Sequence, residues 1–204
     1  MNAIRNALWM LCLAGFLSPS VQAESLTKAD RDQAVAFLER SRAAVLKSVS
    51  GLSEAQWNFK PGPDHWSVAE VMEHLAAAED FLRDMIRDKV MQAPAPSGTN
   101  DVKATDELVR QRISDRSHKV QTLEPLRPTN RFGSPEGSRK HFKESREQTI
   151  EFVKKTSGLR EHAVDSPLGM PLDGYQWVLF MAAHSERHNK QIAEVKADPG
   201  FPKH

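Results

Sequence analysis

Apolar residues recur at steps of three and four through most of the chain, which is the spacing of a buried helix face. Alternating apolar and polar positions, the pattern of a half-buried strand, are not evident after residue 24. The spacing predicts helices at about 27–50, 67–90, 105–123, 135–156 and 173–197. The apolar residues of 105–123 are spread among charges, so we expect an all-α four-helix bundle with this one additional peripheral helix.

Capping residues indicate where two of these helices begin. Ser67 and Glu70 fit a capping box, in which the serine oxygen accepts the N3 amide and the glutamate reaches back to the cap amide. Asp173 and Gln176 fit the same arrangement before the last helix. Both signals stand immediately before apolar helical stripes, so they support the predicted boundaries.

The first 23 residues match a cleaved signal peptide. Arg5 gives a positive start, the apolar run 7–17 is too short to span a bilayer, and 21–23 offers small residues for cleavage. The alternatives are a buried N-terminal helix and a membrane anchor. We expect a mature domain of residues 24–204, exported to the periplasm or secreted, with no stable membrane anchor after cleavage.

Composition narrows the chemistry of the mature domain. The 204 residues hold 28 basic and 27 acidic side chains, and the net charge of +1 provides no field for binding nucleic acid or an anionic membrane. The one cysteine, Cys12, lies inside the predicted signal peptide. Disulfide bonds, thiolate ligands and cysteine nucleophiles are therefore excluded from the mature domain.

Three of the eight histidines lie where apolar residues would be expected. His184 and His188 occupy the stripe of the last helix, and residues at i and i+4 have Cβ atoms about 5–6 Å apart on one face. His74 lies beside the stripe of the second helix and could supply a third nitrogen across the bundle. The alternative is that these are ordinary core or surface histidines. Position 186 is Glu and 187 is Arg, so neither zinc-peptidase motif fits.

A set of short motifs resembles the DinB-like superfamily over about residues 35–197. The motifs are Trp57, Pro61, the run 66–71 followed by His74-Leu75, 167–169, 175–177, and His184-x-x-x-His188 followed by Gln191-Ile192. The resemblance implies a four-helix bundle with a divalent metal ion held by His74, His184 and His188. The family includes thiol-dependent transferases and isomerases, and many of its members have no known activity. Export is a departure from the thiol-dependent members, which work where cytosolic thiols are plentiful.

Three imidazoles would leave the metal ion its full charge and room for water or a substrate oxygen. Zinc is the default ion for imidazole ligands, with nickel and iron(II) as alternatives. No convincing catalytic base stands near the histidines, since Glu70 belongs to the capping box and Glu73 points away from His74. Arg187 and Gln191 lie within a turn of the pair and could touch a substrate or lie at the rim.

The leading hypothesis is a metal-dependent hydrolase or group transferase acting on an unidentified small molecule. The alternatives are a non-catalytic metal- or ligand-binding bundle and a helical interaction protein with structural histidines. Exposed bundle faces make a homodimer plausible. The remaining histidines lack comparable partners, and they are His65, His118, His141, His162 and His204.

Overall fold

The computed structural model describes residues 25–96 and 101–203, so the predicted signal peptide at 1–23 lies outside the described residues. Within these ranges the chain forms six α-helices and one short hairpin. They are α1 (Lys28–Ser48), α2 (Glu54–Asn58), α3 (Val68–Asp88), α4 (Val102–Ser114), α5 (Pro135–Lys155), β1 (Ala163–Asp165), β2 (Pro171–Asp173) and α6 (Gly174–Lys196). Single 3-10 turns follow α3 at Val90–Gln92 and precede α5 at Glu124–Leu126.

Four long helices form the bundle. Helix α1 packs against α5 and α6, and α3 packs against the same two helices, so α1 and α3 lie diagonally opposite each other. Helix α4 packs on the outer side of α6. The predicted all-α four-helix bundle with one peripheral helix is therefore confirmed.

Side-chain caps begin the two helices that carry the predicted histidine ligands. The Ser67 hydroxyl accepts the Glu70 amide, and the Glu70 carboxylate accepts the Ser67 amide at 2.8 Å. Asp173 and Gln176 make the same reciprocal pair at the start of α6. These contacts satisfy amides that the first turn of a helix leaves without partners, so both predicted capping boxes are confirmed.

The core has two main parts, and α6 passes through both. One part gathers around Trp177, Leu179 and Met181 near the start of α6. The other surrounds Leu75 of α3 and Ile192 near the end of α6. The histidine positions of α6 lie along the helix between these two parts, so the polar site interrupts an otherwise apolar interior.

The peripheral helix is six residues shorter than predicted and begins three residues earlier in the chain, because 115–123 is not helical. Asp115 follows the last turn of α4, and its carboxylate accepts the amide of Ser117 at 2.9 Å, a local contact that competes with helical hydrogen bonding. Val120 and Leu123 fitted the helical spacing but are 74% and 58% exposed. We call the segment 115–131 the strap, because it crosses from α6 to α3.

Two small elements were not predicted. Helix α2 has only five residues, which is too short to show a helical period, although Ser53 and Gln56 form a capping box. The hairpin strands have three residues each and pair Val164 with Leu172, so alternation over four residues could not appear. None of the described helices combines the length and apolar character needed to cross a membrane.

Candidate metal centre

Three histidine side chains from two helices converge at the interface between α3 and α6. The Nε2 atom of His184 lies 3.3 Å from Nε2 of His74 and 3.1 Å from Nε2 of His188. One ring nitrogen from each of the three lies within 4.8 Å of the other two. The structure therefore brings together the three residues that the sequence singled out.

Helix geometry explains the convergence. His184 and His188 are one turn apart on α6, so both rings project from the same face. His74 lies on the face of α3 that packs against α6 and is 3% exposed. His188 is buried as well, whereas His184 is half-buried and closest to solvent.

Hydrogen bonds at the far side of two rings set their tautomers. Nδ1 of His74 lies 2.9 Å from the carbonyl oxygen of Leu126, and Nδ1 of His188 lies 2.8 Å from Oε1 of Gln191. Both oxygens only accept, so each Nδ1 donates its hydrogen and each Nε2 keeps its lone pair. Gln191 Oε1 also accepts from the guanidinium of Arg116 at 3.3 Å, which supports this amide orientation. Two lone pairs are thus directed at the common centre.

The surroundings keep all three imidazoles neutral. Burial lowers the pKa of His74 more than its bond to the Leu126 carbonyl raises it. Burial also holds the pKa of His184 and the pKa of His188 well below the usual value. In addition, positive charge on one ring of the triad disfavours positive charge on its neighbours. A metal ligand must be deprotonated, so this environment favours the binding form of each ring.

The donor set fits a divalent metal ion. Two ligands bound tetrahedrally at about 2.0–2.1 Å from zinc are roughly 3.3 Å apart, close to the two Nε2 distances. Neutral rings cannot satisfy one another here, because His74 and His188 both present lone pairs and His184 can donate to only one of them. A cation at the centre would engage all three nitrogens. The histidine triad therefore suggests a divalent metal ion.

Aromatic rings flank the triad. The Trp66 ring centroid is 5.0 Å from that of His74 and 6.5 Å from that of His188, with the second pair nearly parallel. Phe180 lies one turn before His184 and stacks on it at 6.2 Å. These apolar walls restrict ring rotation and make the site less polar, which strengthens electrostatic interactions within it.

Three contributors to the site were not identified as such from the sequence. Trp66 was the first residue of the family-motif run 66–71, but its contact with two histidines required the tertiary structure. Gln191 was considered for substrate contact, whereas its side chain is directed at His188, a pairing that the i, i+3 spacing could have indicated. The Leu126 carbonyl left no sequence signal, because any residue can present a backbone oxygen.

Nearby carboxylates are engaged away from the triad. Glu70 caps α3, as the sequence indicated, and Glu73 points away from His74, as expected, and binds the amides of 129–131. Glu79 pairs with the buried Arg146, and Asp80 contacts His141 and Ser145 at the α3–α5 interface. Among the described residues, no carboxylate oxygen joins the group of three ring nitrogens.

The other polar candidates also lie apart from the triad. The Arg187 guanidinium donates to the carbonyl of His118 on the strap at 2.6 Å. His141 stacks on Phe132 and pairs with Asp80, and Nδ1 of His162 lies 2.6 Å from the Ala93 carbonyl oxygen. His65 is exposed. The five histidines that the sequence set aside include none that joins the cluster in the described part of the chain.

Comparison with known proteins agrees with this architecture. The solved structure of YfiT from Bacillus subtilis, described as a probable metal-dependent hydrolase with an unusual four-helix bundle topology, matches with a TM-score of 0.54 and 17% identity. The match covers 88% of this chain and 93% of that chain. The uncharacterized protein YuaE of Bacillus subtilis (strain 168) is 26% identical over 163 residues, which are 79% of this chain and 96% of YuaE.

A family model covers the part of the chain that carries both groups of ligands. The DinB superfamily model matches residues 38–192, which include His74 on α3 and the histidine pair on α6. The match spans well over half of the chain. The chain therefore belongs to the DinB superfamily.

Proposed function

We propose that this chain is an exported metalloprotein that binds a divalent metal ion through His74, His184 and His188. We further propose that it acts on a small molecule by hydrolysis or group transfer. The observation that carries the proposal is the cluster of three Nε2 atoms, two of them 3.1 and 3.3 Å from the third. The similarity to YfiT, described as a probable metal-dependent hydrolase, supports the same reaction class.

A divalent ion on three neutral imidazoles supplies Lewis acidity, which acidifies water or polarises a substrate oxygen. The residues of this chain would hold the ion and shape its surroundings. His74 and His188 are held as acceptors at Nε2 by their Nδ1 bonds. Trp66, beside His74 and His188, and Phe180, beside the half-buried His184, would provide apolar contact for the substrate.

A non-catalytic metal-binding role is the second candidate. It is favoured by the engagement of Glu70, Glu73, Glu79 and Asp80 elsewhere, since no carboxylate of residues 25–96 and 101–203 then joins the three histidines to move a proton. The catalytic candidate needs no such group if the metal ion alone acidifies water. Zinc is the proposed ion because it suits imidazole ligands, with nickel and iron(II) as the competitors.

The metal proposal is tested by mass spectrometry of the mature chain, purified without chelators. We expect about one metal ion per chain in the wild type and none in His188→Ala. His162→Ala is the matched control, because His162 also bonds a backbone carbonyl through Nδ1 but lies outside the triad. Absence of metal from the wild type after reconstitution with zinc, nickel and iron(II) would overturn the proposal.

The catalytic part is tested with a panel of esters, amides and electrophilic small molecules, assayed with and without added thiols. Turnover that requires the metal and disappears in His188→Ala would support catalysis. Turnover that also requires a thiol would indicate group transfer. Stoichiometric metal without turnover on any class would favour the binding role.

Export is tested separately, because it depends on residues 1–23. We expect the native protein to be recovered outside the cytoplasm with Glu24 as its first residue. A cytoplasmic protein that retains its N-terminal residues would contradict export and leave the metal proposal unaffected.

A further inference from the structure

The strap, residues 115–131, contacts the hydrogen-bond partner of one proposed metal ligand on α6 and supplies the hydrogen-bond partner of another on α3. At its start, Arg116 donates to Gln191 Oε1, which also receives the Nδ1 hydrogen of His188. Near its end, the Leu126 carbonyl receives the Nδ1 hydrogen of His74. One segment therefore touches the outer side of the site at both α6 and α3.

Glu73 holds the end of the strap on α3. Its Oε1 accepts the amides of Thr129 at 2.7 Å and Arg131 at 3.0 Å, and its Oε2 accepts the amide of Asn130 at 2.8 Å. Asn130 has a φ of 60°, in the left-handed region that asparagine tolerates, and this turn lets three consecutive amides face one carboxylate. The Glu73 side chain is buried, so these bonds replace the water that its charge would otherwise require.

The same turn sets the position of the Leu126 carbonyl. Only Arg127 and Pro128 separate Leu126 from the first amide bound by Glu73, and the proline ring restricts the backbone between them. The Leu126 side chain is also buried against Ala77 and Ala78 of α3. Movement of 129–131 away from α3 would therefore pull the carbonyl away from His74.

We propose that Glu73 is a positioning residue for the metal centre, acting on His74 through the strap. Glu73 and His74 are consecutive on α3, and each holds one part of the same turn. Glu73 keeps the turn closed, and the closed turn presents the carbonyl that sets the tautomer and ring orientation of His74. The inference rests on the proposed metal function and assigns to Glu73 an effect on metal affinity without direct contact with the ion.

The size of the effect follows from other outer partners of metal-binding histidines, whose loss typically weakens metal affinity about 10–100-fold. Glu73→Gln keeps the length of the side chain but removes its charge and places an amide NH₂ against backbone donors. We expect the zinc affinity of Glu73→Gln to fall about 10-fold or more.

Glu70→Gln is the matched control. Glu70 lies one turn earlier on α3 and also binds a backbone amide, that of Ser67, but its other carboxylate oxygen accepts from Lys60 and not from the strap. Zinc affinity is measured by competition with a chelator, and circular dichroism establishes that each variant is folded. We expect Glu70→Gln to bind zinc within about twofold of the wild type.

A second measurement uses the wild-type protein, so it does not depend on the folding of a variant. Coupling between two sites is reciprocal, so zinc should stabilise the closed turn by the factor that the turn contributes to zinc affinity. We expect zinc to slow hydrogen exchange of the Thr129, Asn130 and Arg131 amides about 10-fold.

The outcomes separate this inference from the proposed function. A wild type that binds neither zinc nor nickel nor iron(II) overturns both, and if one of the other two ions binds in place of zinc, the affinities are compared with that ion. A wild type that binds zinc, with equal affinity in Glu73→Gln and in Glu70→Gln, overturns the positioning role alone. If Glu73→Gln does not fold, unchanged exchange of the three amides on zinc addition overturns it, and slowed exchange supports it.

Discussion

Two of the polar clusters buried in this bundle differ in how fully their hydrogen bonds are satisfied. One is the histidine triad between α3 and α6. The other, the arginine cluster, joins all four long helices and lies around a fully buried guanidinium. It comprises Ser41 of α1, Glu79 of α3, Arg146 and Thr149 of α5, and Ser185 of α6.

The arginine cluster satisfies itself. Arg146 makes a bidentate pair with Glu79 at 2.7 Å for both bonds, and its other bonds go to the Leu38 carbonyl and the hydroxyls of Ser41 and Ser185. These five bonds equal the number of N–H groups on a guanidinium. Thr149 donates to Glu79 as well, so both charges of the buried pair are matched within the protein.

The triad cannot satisfy itself in this way. The Nδ1 atoms of His74 and His188 have oxygen acceptors, but their Nε2 lone pairs face each other and His184. Ser185 belongs to the arginine cluster while its neighbour His184 belongs to the triad, so the two chemistries are adjacent on α6. Buried polarity that is saturated by the protein indicates a structural role, and buried polarity directed at a shared centre indicates a ligand.

The largest expected effect on stability comes from a substitution that disrupts the arginine cluster. Arg146→Met should lower the free energy of unfolding by about 3–5 kcal/mol, because it leaves Glu79 buried without its counter-ion. The measurement is urea unfolding at neutral pH. Arg42→Met is the control, since Arg42 pairs with the exposed Glu147 across α1 and α5 and should cost less than about 1 kcal/mol.

The double variant Arg146→Met/Glu79→Met should recover much of that loss, because it removes both buried charges together. Equal stability of the double variant and Arg146→Met would show that the packing of the arginine stem, and not the uncompensated carboxylate, causes the loss.

A substitution in the triad should have a smaller effect on stability, and the sign of that effect should depend on whether metal is present. His184→Leu removes ring nitrogens that lack adequate partners, so in chelator it should match the wild type or exceed its stability by about 1 kcal/mol. With zinc at a hundredfold excess over the dissociation constant, the wild type should gain about 2.7 kcal/mol and the variant nothing. Thermal and urea unfolding, each with chelator and with zinc, measure this reversal in the relative stability of the two proteins.

If His184→Leu in chelator lowered the free energy of unfolding as much as Arg146→Met does, the proposed difference between the triad and the arginine cluster would be contradicted. The triad would then be a self-sufficient structural cluster like its neighbour, and the helical interaction hypothesis would gain support.

The same difference explains how far the sequence could be interpreted. Periodicity predicted the four long helices, because each buries a stripe that runs through many turns. His184 and His188 were visible as a pair, because their spacing lies within one helix. The Arg146–Glu79 pair joins residues of different helices, so its partners follow from bundle packing and not from any local pattern.

Val120 and Leu123 show the opposite error, a sequence pattern that predicted a helix where the structure has none. They fitted a helical period, but Asp115 turns the chain at the end of α4 and leaves both exposed on the strap. The strap also supplies the Leu126 carbonyl that accepts from His74. This contact uses a backbone oxygen, which every residue type has, so the identity of residue 126 does not reveal it. The three histidines of the candidate site were therefore predictable. Of the groups that orient them, Gln191 has a spacing that could have indicated its pairing with His188, whereas the Leu126 carbonyl has no sequence signal.

The smallest expected effect concerns the polar cluster of Asp80, Arg83, His141 and Ser145, which is half-exposed, unlike the arginine cluster. Burial raises the pKa of Asp80, but bonds to the Ser145 hydroxyl and His141, with the nearby Arg83, outweigh it and hold the pKa below its usual 3.8. A carboxyl whose pKa is lowered in the folded state stabilises the fold at any pH above its unfolded-state pKa, and this contribution is lost as the pH falls through the folded-state pKa.

The wild type should therefore lose more stability than Asp80→Asn as the pH falls from about 5 to about 2. Urea unfolding across that range measures the difference, which solvent screening keeps smaller than either effect above. Parallel curves for the two proteins would show that exposure cancels the contribution of Asp80, and that only the fully buried clusters couple polar contacts to stability.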